Sequence, residues 1–349
     1  MQKKIDNTSY MRQRATIITQ TPMRITLGGG GTDVLWYSKK YGGAWISATI
    51  DKYVFVTLNI PEDKNLIRIS HGDTAAFVND VNDIPNEIIR ECMKLVGVTS
   101  GIEISTVADA SARSGLGGSG AFEVGVLNAL YTYLRKPVSP IQLGKEACYI
   151  EMDKMGKSIG PQDQYIVSLG GIKYFEINNP NGEVDKVEDI DISSHTVSEL
   201  EHNLLFFRTG IMRDANSVLL DQKQKAELKS DQNEVIEALH QIKELGQKVK
   251  RYLEEGDLDA FGKSLDIHWL IKKRLSKKVT SSQIDFWYTE AMKSGALGGK
   301  IMGAGGGGWF MFYVPKDKQK FREKMAQIGL EEKKCRFDWE GTKVIINLS

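Results

Sequence analysis

Glycine is gathered into three short clusters, and each borders an apolar run. "TPMRITLGGGGTD" (Thr21–Asp33) sets four glycines behind a strand-like segment. "SARSGLGGSGAFEVGVLNAL" (Ser111–Leu130) sets Gly115, Gly117, Gly118 and Gly120 ahead of a helix-like one. "KIMGAGGGG" (Lys300–Gly308) sets five between two strand-like ones. Glycine at this density lets a loop curl tightly and lets a ligand approach the main chain itself.

Around these clusters the pattern mixes strands and helices. Segments rich in Ile, Val and Thr predict strands over Thr16–Leu27, Ala44–Ile60, Asn65–Ser70, Gly101–Ala108, Ile172–Ile177, Leu204–Gly210 and Thr342–Asn347. Helical spacing predicts helices over Asn86–Gly97, from near Gly120 to before Pro137, over Ser139–Gly156 with Ser139 as N-cap, and within Ser158–Gly171. Longer helical runs are expected from about Asp214 to Glu255 and from Leu258 to Lys273, and a strand, glycine loop and strand over Gly298–Val314. There is no regular β-α alternation, so the class is α+β in both halves. The 349 residues suit two domains, and the polar, acidic stretch Asn178–Asn203 is the boundary candidate. The expected division is an extension over 1–15, one domain over 16–195 and another over 196–349.

Composition narrows the function. The formal net charge is +1, with Lys and Arg interleaved among Asp and Glu, so no nucleic-acid partner is expected. No long uncharged apolar stretch predicts a membrane span, and the polar N-terminus lacks the apolar core of a secretory signal. Cys92, Cys148 and Cys335 form no C-x-x-C pair, which fits a reducing cytoplasm, and the five histidines lack metal-ligand spacing.

The cluster before Phe122 suits a phosphate, because the unpaired amides and dipole of a helix N-terminus attract anions. Gly115, Gly117 and Gly120 satisfy G-x-G-x-x-G, but six residues (Asp109–Ser114) separate them from the preceding strand. No acid stands about twenty positions later, where "LRKPVS" follows, so the dinucleotide reading fails. "SGALGGKI" fails the G-x-x-x-x-G-K-[ST] pattern, and V-A-I-K, H-R-D and D-F-G are missing. A third kind of phosphate loop and a plain turn both remain open.

Taken in order, "PMRITLGGGGTD", "GLGGSGA" and "KIMGAGGGG", with Glu151 and Asp163 between the last two, resemble the three motifs of the galactokinase, homoserine kinase, mevalonate kinase and phosphomevalonate kinase superfamily. The resemblance runs from about Thr16 to Val314. It departs at Gly118, which replaces a family serine, and at the glycines before Thr32-Asp33, where galactokinases carry Gly-Glu-His. The "LGGGGTD" form is most similar to sugar kinases acting at the anomeric hydroxyl, with heptose 7-phosphate kinases nearest and L-fucose kinases close by.

The resemblance implies an N-terminal domain like the second domain of ribosomal protein S5 and a ferredoxin-like C-terminal domain. It implies a cytoplasmic enzyme, monomer or homodimer, using ATP with Mg²⁺ to make a sugar 1-phosphate, here a heptose 1,7-bisphosphate for surface polysaccharide. Ser114, Gly115, Leu116, Gly117, Gly118, Ser119 and Gly120 would hold the nucleotide, and Ser119 with Glu151 the metal. Asp163 would be the base and Arg24 its neighbour at the transferring phosphoryl. Gly30, Gly31, Thr32, Asp33, Gly305 and Gly306 would meet the sugar. A substrate that already carries phosphate needs further cations, for which Arg213, Lys272 and Lys273 are candidates; His268, beside Trp269, is expected to be packed. The competing readings are a kinase for an unphosphorylated fucose-type sugar and a non-catalytic sugar and nucleotide sensor.

Overall fold

A computed structural model of the chain describes residues 16–111, 114–212, 215–228 and 232–349. The expected extension over 1–15 and the candidate Arg213 lie outside the described residues. Two sheets organise the rest. The first contains β1 (Thr16–Gly28), β2 (Gly43–Asn59), β3 (Ile67–His71), β4 (Thr74–Val78), β5 (Ile102–Ala108), β6 (Ile172–Ile177) and β7 (Lys186–Asp189), together with β12 (Lys343–Asn347). The second contains β8 (Leu204–Arg208), β9 (Gly298–Ile301), β10 (Trp309–Tyr313) and β11 (Glu331–Lys333).

In the first sheet the order is β12-β1-β2-β5-β3-β4, with β6 also on β2 and β7 on β6. Its ladders are antiparallel except β3 with β5. β1 shifts register against β2 at Pro22/Met23, where the missing proline N–H makes a bulge the natural accommodation. Just beyond it, the Arg24 N–H donates to Leu116 O at 2.9 Å, tying the strand to the second glycine cluster. α1 (Leu35–Tyr41) and α2 (Glu87–Val96) flank this half. α3 (Gly118–Tyr133) lies against β1 and β2, and every residue from Gly120 to Leu130 is buried. A helix apolar all round its circumference is a core helix, and α3 is one.

The expected helix over 139–156 is α4 (Pro140–Cys148), capped by Ser139, followed by a π-helical turn over Tyr149–Lys154. α5 (Gln162–Leu169) comes next. The supposed boundary stretch is itself ordered, holding β7 and α6 (Ser194–Asn203), so the line drawn at 195/196 falls inside a helix.

The second half runs β8, then α7 (Ala215–Glu227), α8 (Gln232–Glu255), α9 (Leu258–Leu275) and α10 (Ser282–Lys293), then β9, β10, α11 (Lys318–Gln327) and β11. Its antiparallel order β11-β8-β10-β9, with helices between the first pair and the last, is the ferredoxin-like arrangement. The fold is therefore α+β with two domains, as expected. Two segments cross over. α8 packs on β1 and β2, its Val249 against Gly28. The strand expected to finish the second half, β12, pairs with β1 instead. Thr342 Oγ1 meets Thr21 Oγ1 at 2.8 Å and accepts from Asn128 Nδ2 at 3.2 Å, which anchors the return. No helix among the described residues is long and apolar enough to cross a membrane.

Candidate active site

A cavity of about 320 Å³ lies between the two halves, and all three glycine clusters reach its wall. The second and third touch backbone to backbone. A methyl group on Gly115 would stand 2.8 Å from Met302 O, and one on Gly308 only 2.3 Å from Ser114 O. Gly115 and Gly117 hold φ of +83° and +72°, values costly for any residue with a Cβ. Gly117 turns the chain into α3, whose N-terminus has no side-chain cap. Its first-turn amides face the cavity without intrahelical partners.

Opposite that helix end, α5 begins after Gly160 and Pro161, which sets Asp163 in its first turn. The Arg24 fork grips Asp163: Nε donates to Oδ1 at 2.7 Å and Nη2 to Oδ2 at 2.8 Å. The third arm, Nη1, donates to Gly115 O at 2.6 Å. One buried guanidinium therefore fixes an acid and the glycine loop together, a bidentate geometry lysine cannot supply. Gly117 has no side chain to displace Arg24, since a methyl there would sit 2.9 Å from its Cγ. Asp33 faces the same space, its carboxylate accepting from the N–H groups of Gly31 (3.1 Å) and Gln162 (3.3 Å). Only a glycine fits at 160, where a methyl would fall 2.2 Å from Asp33 Oδ2.

Glu151 sits on the π-helical turn and is buried, not on a solvated face. Its Oε1 accepts from Ser119 Oγ at 2.9 Å and Lys157 Nζ at 2.5 Å, and its Oε2 from Gln164 Nε2 at 2.5 Å. One turn after Ser119 on α3, Glu123 is fully buried and neither carboxyl oxygen has a partner. Burial, and then Glu151, push its pKa well up. Among the described residues, no three His, Cys, Asp or Glu side chains gather as a metal site. Ser119 and Glu151 nevertheless put two hard oxygens side by side at the cavity wall, a donor set that fits Mg²⁺ completed by other oxygens. The Lys157 ammonium already holds a cation against the same carboxylate.

The second half contributes His268 and Lys272 of α9 and Lys300 of β9, all buried and all facing the cavity. Lys272 donates to Gly303 O.

Residues 83–171 match the model of the GHMP kinases N-terminal domain, and residues 249–329 that of the GHMP kinases C-terminal domain. A D-glycero-alpha-D-manno-heptose 7-phosphate kinase of Campylobacter jejuni is 32% identical over 87% of this chain and 91% of its own. The chain is a GHMP kinase. It is accordingly a phosphotransferase with an alcohol group as acceptor. A galactokinase of Pyrococcus furiosus is 26% identical over 95% of this chain and 98% of its own. A solved structure titled D-glycero-D-manno-heptose 1-phosphate kinase, from Bacteriodes thetaiotaomicron, superposes with a TM-score of 0.78 at 26% identity. It covers 95% of this chain and all of its own.

Of the residues expected from sequence, the cavity of this GHMP kinase brings together Arg24, Gly30, Gly31, Asp33, Ser114, Gly115, Gly117, Gly118, Ser119, Gly120, Glu151, Asp163 and Lys272. The others lie behind or away from it. Leu116 is buried, with its carbonyl on Arg24 N–H. Thr32 is buried and braces the first cluster, its hydroxyl donating to Gly29 O at 2.8 Å. Gly305 and Gly306 pack on Val279, to whose carbonyl the Gly306 N–H donates at 2.6 Å. Lys273 points to Asp285 at 3.3 Å. Sequence reasoning passed over Glu123, Lys157, Gln164 and Lys300. Glu123 had a signal, an acid in an apolar helix four residues after Ser119.

Asp33 carries a pH signature. Burial, then Asp163, push its pKa from 3.8 up to about 6, despite the amides it accepts from. Below about pH 4 the carboxyl is protonated both folded and unfolded. As pH rises through 6 the folded protein must bury the charge, and the stability contributed by Asp33 falls. Asp33→Asn should therefore melt progressively higher than wild type from pH 4 to 6, and by a constant margin above. A shift of this size corresponds to about 3 kcal/mol. A melting-temperature difference that stays flat across pH 4–7 would contradict this account.

Proposed function

We propose that this GHMP kinase is a sugar kinase that transfers the γ-phosphoryl of ATP to the anomeric hydroxyl of D-glycero-D-manno-heptose 7-phosphate, giving the 1,7-bisphosphate. The observation that carries the reading is Asp163, held by the Arg24 fork across the cavity from the uncapped N-terminus of α3. The amides of Gly117–Gly120 bind the ATP phosphates, which the helix dipole also favours. Asp33, with the backbone of Gly30 and Gly31, holds the sugar hydroxyls.

Asp163 accepts the proton of the anomeric hydroxyl as its oxygen bonds to the γ-phosphorus and the bond to the ADP oxygen breaks. Arg24 keeps both carboxylate oxygens oriented and adds positive charge beside the phosphoryl in flight. Ser119 and Glu151 are the residues that would hold Mg²⁺. Once bound, Mg²⁺ supplies charge neutralisation for the triphosphate. Lys157 and Gln164 fix the position of Glu151.

The heptose choice follows the Campylobacter relative and the "LGGGGTD" motif. The solved relative is named for a 1-phosphate, but a heptose already phosphorylated at the anomeric oxygen offers no hydroxyl there to accept a second. The deciding experiment is an ATP-turnover screen over D-glycero-D-manno-heptose 7-phosphate, L-fucose, galactose, mannose and mevalonate. The heptose 7-phosphate is expected to give the highest kcat/KM. Turnover of fucose without the phosphorylated heptose would overturn the substrate, and ATP use with none of them would favour the sensor reading.

A further inference from the structure

We infer that His268, Lys272 and Lys300 form a built subsite for a phosphoryl dianion, the phosphate that the acceptor sugar carries when it arrives. The inference rests on the reading of the acceptor as a sugar phosphate.

His268 and Lys272 are four residues apart on α9 and share one face of it. That face packs on β9, where a methyl group on Gly298 would fall 2.1 Å from Gly262 O. So close an approach brings Lys300 of β9 beside the two α9 side chains. All three are more than nine-tenths buried, with relative exposures of 2%, 8% and 3%. All three line the cavity.

No anion balances them among the described residues. The carboxylates of the cavity wall are engaged elsewhere: Asp33 by two amides, Glu151 by Ser119, Lys157 and Gln164, and Asp163 by Arg24. Lys272 donates to a neutral carbonyl, and His268 Nδ1 has no partner. Burial, then Arg24, push Lys272 down to about 7. Burial, then Lys272 and Arg24, push Lys300 well down, and burial with both lysines does the same to His268. Cations crowded in a low-dielectric wall without counter-charge are costly to keep. A dianion landing among them supplies the missing counter-charge and removes the repulsion, so the cost of the empty site favours binding.

Two phosphate-bearing groups are proposed to enter this cavity, the triphosphate of ATP and the phosphate on the sugar. The cluster stands on α9 and β9 of the second half, whereas the uncapped α3 terminus proposed for ATP belongs to the first. Because the two anion positions are built on different elements, the cluster is assigned to the sugar's phosphate, and the KM for ATP against that for the sugar tests the assignment.

Lys272→Met and Lys300→Met should each raise KM for D-glycero-D-manno-heptose 7-phosphate about 10- to 100-fold, the effect of losing a charged hydrogen bond. ATP KM should move less than about threefold. A rise confined to ATP KM would assign the cluster to the nucleotide and overturn the inference. Thermal melting gives an independent reading. Ligand-free Lys300→Met should melt above wild type, because an unbalanced cation is gone, and inorganic phosphate should raise the wild-type melting temperature but not that of the variant. A variant that melts lower and keeps the full phosphate shift would overturn the subsite. If wild type fails to turn over the heptose 7-phosphate while the phosphate shift is still lost in Lys300→Met, the proposed substrate falls and the anion subsite stands.

Discussion

Asp163→Ala is expected to lower kcat by about 10²–10⁴, the usual worth of a positioned general base, with only a modest change in ATP KM. The nucleotide is proposed to rest on α3 and its loop, and Asp163 lies outside both. Its removal strands Arg24, which is buried and would then face Lys272 and Lys300 with one fewer counter-charge. Asp163→Asn separates the two roles, since an amide still offers Arg24 an acceptor but takes no proton. A fall in kcat as deep in Asp163→Asn as in Asp163→Ala makes Asp163 the base. Near-full turnover in the asparagine variant would reduce it to a clamp for Arg24, and near-full turnover in both would remove it from the mechanism.

The second large effect comes from a residue with no side chain. Gly308→Ala should cut kcat/KM about 100-fold or more, the scale expected when reacting groups are displaced by roughly an ångström. It should also lower the melting temperature well beyond a simple backbone penalty. Two causes add at this position. Its φ of +88° costs an L-residue about 1–2 kcal/mol. Its Cβ would also stand 2.3 Å from Ser114 O, wedging the third glycine cluster away from the second. Gly72→Ala is the matched control. It has φ of +56° but nothing within 4 Å, so it should pay the backbone cost and keep full activity. If the two variants behave alike in melting and kinetics, the contact between the clusters does not organise the site.

How much of this was legible in the sequence differs residue by residue. The glycine clusters were readable because positive φ and close backbone approach leave a compositional mark, and the structure puts Gly115 and Gly117 at positive φ and Gly308 against Ser114. Asp163 in a first turn was readable from Gly160 and Pro161 before it. The pairing of Arg24 with Asp163 spans 139 positions and left no local trace, so only the family resemblance set the two side by side. Lys272 and Lys273 could not be ranked, because one residue of helix rotation separates a cavity wall from an ion pair with Asp285. Only the packing of α9 on β9 decides which lysine faces inward. Lys300 lay inside a quoted motif, yet lysine is so rarely buried that composition steers attention away from it. β12 was expected as a strand, but nothing near it in sequence says that its ladder partner is β1.

That returning strand restricts how the two halves can move. The chain passes from the first half to the second near Asn203 and comes back before Lys343, and Leu348 N–H donates to Thr16 O at 2.9 Å. A pair of lobes joined by one linker can swivel in any direction, but two tethers define an axis. Any rotation of one half against the other must therefore respect both crossings, which leaves far fewer directions than a single linker would.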